Sequence, residues 1–270
     1  MPDTDDVTEF STPAPVLLKI DTAGGQVRVD ALDADHTVVR LRPSRAGDDR
    51  ALDLIANSTV EQRGDRVLVE VPPAGVGFLR SSPDIDITVS LPTGSRLELA
   101  AKSADLRTSG LLDAVHVQIG SGDVWLDHVG EAHVQSGSGD TMLAVADRSV
   151  RVETGSGDVH LQHVTGALQV STGSGDALVD DVCADVTIHT ASGDHRVGRV
   201  RRGTVAMDSA SGDRAGHGRR GHTGLVGRHQ PERQRALGAR RQRAARRRGR
   251  RRRAAHQHRI RRHLARARLT

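Results

Sequence analysis

The sequence predicts an all-β protein: a parallel β-solenoid, preceded by a β-rich N-terminal cap and followed by a disordered Arg-rich C-terminal tail. Three observations predict it. A Ser-Gly-Asp phrase returns about every eighteen residues, each interval holds two short alternating apolar and polar segments, and the charge of the chain reverses abruptly near its last quarter.

The period comes first, because internal repeats decide architecture before local propensity does. The aspartates of the phrase are Asp123, Asp140, Asp158, Asp176, Asp194 and Asp213, and Ser103-Ala104-Asp105 is a degenerate first copy. Successive steps from Asp105 are 18, 17, 18, 18, 18 and 19 residues. A catalytic site needs one copy of its nucleophile, so a recurring phrase marks architecture.

Within each period one segment follows the Asp (Val124-Trp125-Leu126, Val159-His160-Leu161, Ala177-Leu178-Val179). A second precedes the next Ser-Gly-Asp (Val134-Gln135-Ser136, Val152-Glu153-Thr154, Val170-Ser171-Thr172, Ile188-His189-Thr190). Alternation with period two and enrichment in Val and Thr read as half-buried strand. Glycine recurs too often for a helix to fit between the copies. Two strands and two turns per period favour stacked parallel coils, with each strand about 4.8 Å from its counterpart and a rod on the order of 30 Å long.

Stacking gives the phrase its meaning. The repeat-turn residues are Gly122 and Asp123, Gly139 and Asp140, Gly157 and Asp158, Gly175 and Asp176, Gly193 and Asp194, and Gly212 and Asp213. Glycine supplies the positive φ of a tight bend, and Ser and Asp side chains accept from backbone N–H groups that the bend leaves without ladder partners. The resulting column of carboxylates is tolerable because water and salt screen exposed charges.

Residues 10–101 are β-rich without the period. Strand candidates are Val16–Ile20, Gln26–Val29, Thr37–Leu41, Val67–Val71, Ile85–Val89 and Leu97–Leu99, separated by turn clusters at Ala23-Gly24-Gly25, Pro72-Pro73-Ala74-Gly75 and Pro92-Thr93-Gly94. This segment reads as the cap that covers an open strand edge. The division expected is a flexible acidic segment over 1–9, the cap over 10–101, the solenoid over 102–213 and the tail over 214–270.

Composition bounds the rest. Residues 1–213 carry 18 Lys and Arg against 33 Asp and Glu, a net of −15; residues 214–270 carry 21 Arg against Glu232 alone, a net of +20. Trp125, Phe10 and Phe78 are the aromatic residues and Tyr is absent, so the core must be aliphatic. Cys183 stands alone, which excludes an internal disulfide framework. The start is acidic and polar, not a secretory signal, and no apolar run reaches membrane length, so the chain as written is expected to be cytoplasmic, with no membrane association.

The segments EFSTPAPVLLKIDTAGGQVRV and VSLPTGSRLELAAKSADLRTSGL, with the SGSGDV coils after them, resemble a bacterial adhesin-like β-strand-repeat family of the actinobacterial type, a domain of unknown function. The resemblance spans about Phe10 to Asp213. It implies a right-handed β-solenoid without known enzymatic activity, and it supplies no site residues.

The tail invites a nucleic-acid reading, since clustered Arg neutralises phosphates. Nucleic acid is expected as a partner only if the tail is native, and it has neither Lys nor an aromatic residue to stack on bases. It also behaves as a coding sequence read out of frame. If each true codon joins the last two bases of one codon to the first of the next, His256 to Arg262 permits Ile-Asn-Thr-Ala-Ser-Gly-Asp, close to the Ile188–Asp194 segment. Thr223–Arg228 permits Pro-Ala-Trp-Leu-Asp-Val and Glu232–Arg235 permits Ser-Gly-Ser-Val.

Sharper chemistry fares worse. Calcium β-rolls use a nine-residue repeat that surrounds each ion with several oxygens, whereas each corner here offers one carboxylate. His128 and His163 share a phase, but Val145 stands between them and Asp181 follows, and the histidines read mostly as solvent-facing. Ser121, His160 and Asp123 spell a hydrolase triad on paper, yet the same letters recur in most coils. The expectation is a non-enzymatic protein with no catalytic, cofactor or metal residues. It would act through its surface by binding an unidentified protein or surface, or by self-association through the solenoid ends.

Overall fold

The computed structural model describes residues 6–73, 83–211 and the backbone of 214–218. All of these fall in the first of two compact units, Met1–Gly227. Outside the described residues lie the first five, Ala74 and Gly75 of the expected turn cluster, Phe78, Gly212, Asp213 and the tail from 219 onward.

The described chain is β1 (Asp6–Ser11), β2 (Leu17–Leu32), β3 (His36–Pro43), α1 (Asp49–Ala56), β4 (Thr59–Arg63), β5 (Arg66–Glu70), β6 (Ile85–Pro92), β7 (Arg96–Ser109) and β8 (Leu111–Ser121). It continues with β9 (Val124–Ser138), β10 (Thr141–Ala146), β11 (Val150–Ser156), β12 (Val159–Val164), β13 (Leu168–Ser174), β14 (Ala177–Val182), β15 (Val186–Ser192), β16 (His195–Val200), β17 (Val205–Ser211) and β18 (Arg214–Gly218).

The solenoid is a double stack of parallel ladders. Strands that follow the Asp pile up through β9, β10, β12, β14, β16 and β18, and strands that precede the next phrase pile up through β9, β11, β13, β15 and β17. Like sits over like: Val134, Val152, Val170, Ile188 and Met207 share one inward column, and Leu126, Leu143, Leu161 and Val179 share another. Each of these side chains is at most 5% exposed. Alternating Val and Leu yields this aliphatic core because every second residue of a pleated strand faces the same side.

The region expected to be an aperiodic cap is partly solenoid. β2 lies on β7 in register from Leu17 against Arg96 to Asp30 against Ser109, and on its other side it pairs with β5 and β6. The segment Ala23-Gly24-Gly25, expected as a turn between strands, lies inside β2, where Gly24 and Gly25 face Ser103 and Ala104. The coil was hidden because the chain leaves it at Leu32, builds the end coil from β5 and β6, and only then returns at Arg96.

The end itself is closed by antiparallel strands: β4 on β5, β3 on β6 and β1 on β3. Residues 6–9, expected to be flexible, therefore belong to β1, and Phe10 packs against the core. Helix α1 was not foreseen. Asp48 caps it by accepting from the N–H groups of Arg50 and Ala51, and Ala51 and Ile55 are buried in the core. At the other end β18 pairs with β16, so the stack runs five residues past the boundary expected at 213.

Candidate functional site

The repeated phrase builds one corner of every coil, and its backbone groups can be followed one by one. Gly122, Gly139, Gly157, Gly175 and Gly193 all have φ between 115° and 140°. Their N–H groups donate to the carbonyl of the Ser in the following coil, as from Gly157 to Ser174 at 3.1 Å. The N–H of each Asp donates backwards to the carboxylate of the Asp one coil earlier: Asp123 to Asp105, Asp140 to Asp123, Asp158 to Asp140, Asp176 to Asp158 and Asp194 to Asp176, at 2.8 to 3.0 Å. The Asp carbonyl accepts from the residue after the preceding Asp, as from Val159 to Asp176 at 2.9 Å. A tight bend turns these groups out of the strand ladder, and the column itself satisfies them.

Inside the corner runs a second column, Ser136, Thr154, Thr172 and Thr190, all at most 8% exposed. Each hydroxyl donates to the carbonyl of the Ser two residues on, at 3.0 to 3.3 Å. The glycine is required sterically as well as conformationally. A Cβ on Gly157 would lie 2.1 Å from the carbonyl oxygen of Gly139, and one on Gly175 would lie 2.2 Å from that of Gly157. Coils stacked at strand spacing leave no room there for any side chain. Gly212 and Asp213, the last pair of the series, lie outside the described residues.

The hydrolase letters are not brought together. His160 Nε2 meets Asp180 at 3.0 Å, while the Asp123 carboxylate accepts the Asp140 N–H. The histidine column runs His128, Val145, His163, Asp181 and Arg199. His163 pairs with Asp181 at 3.2 Å, and Arg201 grips the same carboxylate through two nitrogens. Burial opposes the charged form of Asp181, but the Arg201 bonds, with the Arg201, His163 and Arg199 charges, outweigh it and hold the carboxyl below its ordinary range. Among the described residues no group of three or more His, Cys, Asp or Glu is placed to hold a metal ion.

Two histidines depart from the solvent-facing expectation. His195 is 1% exposed and occupies the inward column of Val124, Thr141, Val159 and Ala177. Its place directly after Asp194 is the signal that could have revealed this. His133 lies edge-on to His116, with ring centroids 4.8 Å apart. Burial, reinforced by the neighbouring His116, holds the His133 imidazolium pKa below its ordinary value. His116 and His133 line a shallow groove of about 770 Å³ that runs up the starts of successive strands and also touches Glu98, Glu131 and Arg151.

The outward residues of the strands that follow the Asp vary from coil to coil. Trp125 carries the Arg107 guanidinium 4.1 Å from its ring centroid and donates its Nε1–H to Met142 Sδ at 3.1 Å. Spacing alone did not single out this stack. No helix among the described residues is long and apolar enough to cross a membrane.

Solved structures similar to the chain include two proteins named "putative adhesin". The one from Bacteroides fragilis has 15% identity over 80% of this chain and 94% of that one, with a TM-score of 0.36. The one from Parabacteroides distasonis has 13% identity over 79% and 94%, with a TM-score of 0.44. A "putative cell adhesion protein" from Clostridium sporogenes has 7% identity over 80% and 99%, with a TM-score of 0.33. No curated protein matches the chain. The Toastrack DUF4097 family model matches residues 18–217, from the first coil inside β2 to the last described strand, and the chain belongs to that family.

Proposed function

We propose that this chain is a non-enzymatic, adhesin-like interaction protein that works through the surface of its solenoid. The supporting observation is the corner: its most repeated polar groups, the Gly-Asp pairs, are engaged by the adjacent coils. What differs from coil to coil, and so can encode recognition, is the outward side chains of the strands. Beads coated with the chain are expected to retain bacterial cells above bare beads. Retention equal to bare beads, together with a purely monomeric chain, would sink the reading.

Self-association through the solenoid ends belongs to the same proposal. One end is closed by antiparallel strands, whereas at the other, among the described residues, β17 pairs only with β15. An open strand edge recruits another chain. A cytoplasmic setting is part of the reading too, and cell fractionation tests it.

A frame change after about Asp213 belongs to the same proposal, and strand register supports it. Gly216 faces Val197 and Gly218 faces Val200, so the last coil has no side chain at two positions that are apolar in the coils beneath. The same codon shift permits Val at 214, 216 and 218, the positions that pair with the buried His195, Val197 and Val200. Sequencing the gene decides this. Restoring the frame is expected to abolish end-wise association, and identical sedimentation of the two versions would rule the end model out.

A further inference from the structure

We infer that the outward face centred on β10 is the seat of a homodimer, with a second copy of this chain packed face to face across Met142. This rests on the reading of the chain as a surface interaction protein and names a partner and a site for it.

One coil breaks the pattern of polar outward side chains. The outward residues of β9 are Trp125, Asp127 and His128, those of β12 are His160, Gln162 and His163, and those of β14 are Leu178, Asp180 and Asp181. In β10 they are Met142, Ala144 and Val145, with no polar side chain among them. Met142 is 42% exposed, and Trp125 extends the apolar surface one coil down. Such a patch rimmed by polar groups is characteristic of association surfaces.

Charge selects the occupant. Counted from β10, the second coil below presents Arg107 and the second coil above presents Leu178, Asp180 and Asp181. A twofold axis running along β10 sets Met142 against Met142 and Val145 against Val145 of the second copy. It also turns one stack upside down relative to the other. Arg107 then faces Leu178 of the second copy, within reach of its Asp180, and the reciprocal contact forms on the opposite side. An isologous interface needs this self-complementarity. Five coils at about 4.8 Å and strands about 20 Å long give roughly 500 Å² per copy, or about 1,000 Å² in all, which reaches the lower end of specific interfaces.

Sedimentation velocity on the full chain tests this. The unmodified chain is expected to dimerise, and Met142→Glu should raise the dimer dissociation constant at least about tenfold, because the residue meets itself at the axis. Its circular dichroism should stay unchanged. Arg107→Asp and Asp180→Arg should each weaken the dimer, and the double variant R107D/D180R should restore it. A chain that stays monomeric, a Met142→Glu variant that sediments like the unmodified chain, or a charge swap without rescue would each overturn the inference. Those results would leave cell retention by coated beads, which tests the broader reading, unaffected.

Discussion

The carboxylate of Asp158 accepts the backbone N–H of Asp176 at 2.8 Å, while the N–H of Asp158 itself reaches Asp140 at 2.8 Å. Each aspartate thus acts as acceptor to the coil above and as donor to the coil below. Asp158→Ala should leave the Asp176 N–H without its protein partner. Because the corner is exposed and water can substitute, the cost should be about 1 kcal/mol rather than the larger penalty of a buried orphan. Asp158→Asn keeps an acceptor oxygen and should cost less than half as much. Urea titration of the two variants measures the difference, and equal losses would show that charge rather than the hydrogen bond matters.

The corner glycines should be far less forgiving than Gly47, whose φ is also positive but whose surroundings are open. At Gly157 φ is 132° and an added Cβ would meet the Gly139 carbonyl oxygen at 2.1 Å. At Gly47 φ is 79° and nothing lies within 4 Å of an added Cβ. Gly47→Ala should therefore cost only the left-handed penalty, about 1 kcal/mol. Gly157→Ala must also separate two coils, and should cost several times as much on the same order-of-magnitude scale. Thermal unfolding of both variants gives the comparison.

Stability should fall on mild acidification, and His133 should be one cause. Its folded pKa is depressed by burial and then by His116. Above the ordinary histidine value of about 6.5 both states are neutral and the shift has no effect. As pH drops below that value the unfolded chain binds the proton first, so stability declines until the folded pKa is passed. His133→Gln should flatten this part of the stability profile. The exposed His36 has its pKa raised by its hydrogen bond to Asp35, so its contribution has the opposite sign.

Further acidification should expose a second loss, carried by Asp181. Its folded pKa lies below the ordinary carboxylate value, because the Arg201 bonds outweigh the burial that opposes them. A depressed carboxylate contributes stability above its unfolded pKa, near 4, and loses it as pH falls through the folded value. Arg201→Gln should shrink this loss and lower stability at neutral pH. A pH series of unfolding midpoints checks both signs.

The repeat was legible because the coil length is written directly in the spacing of the aspartates, and one strand periodicity fixes which side chains turn inward. His195 illustrates a readable feature passed over, since its place after Asp194 already assigns it to the inward column. Asp48, Ala51 and Ile55 likewise carry the signature of a capped amphipathic helix in a short aperiodic stretch. The contact of Arg107 with Trp125 was less accessible, because its geometry depends on side-chain directions across two coils.

The order of residues alone determined that successive windows stack, that glycine and aspartate form the bend, and that the core is a set of aliphatic columns. Local alternation and fixed period suffice for that. Only the tertiary structure decided that β2 lies between the end coil and β7, that antiparallel strands close that end, and that each corner carboxylate holds the next coil's backbone. These are pairings between distant segments, settled by which edges remain open once the nearer strands have found their partners.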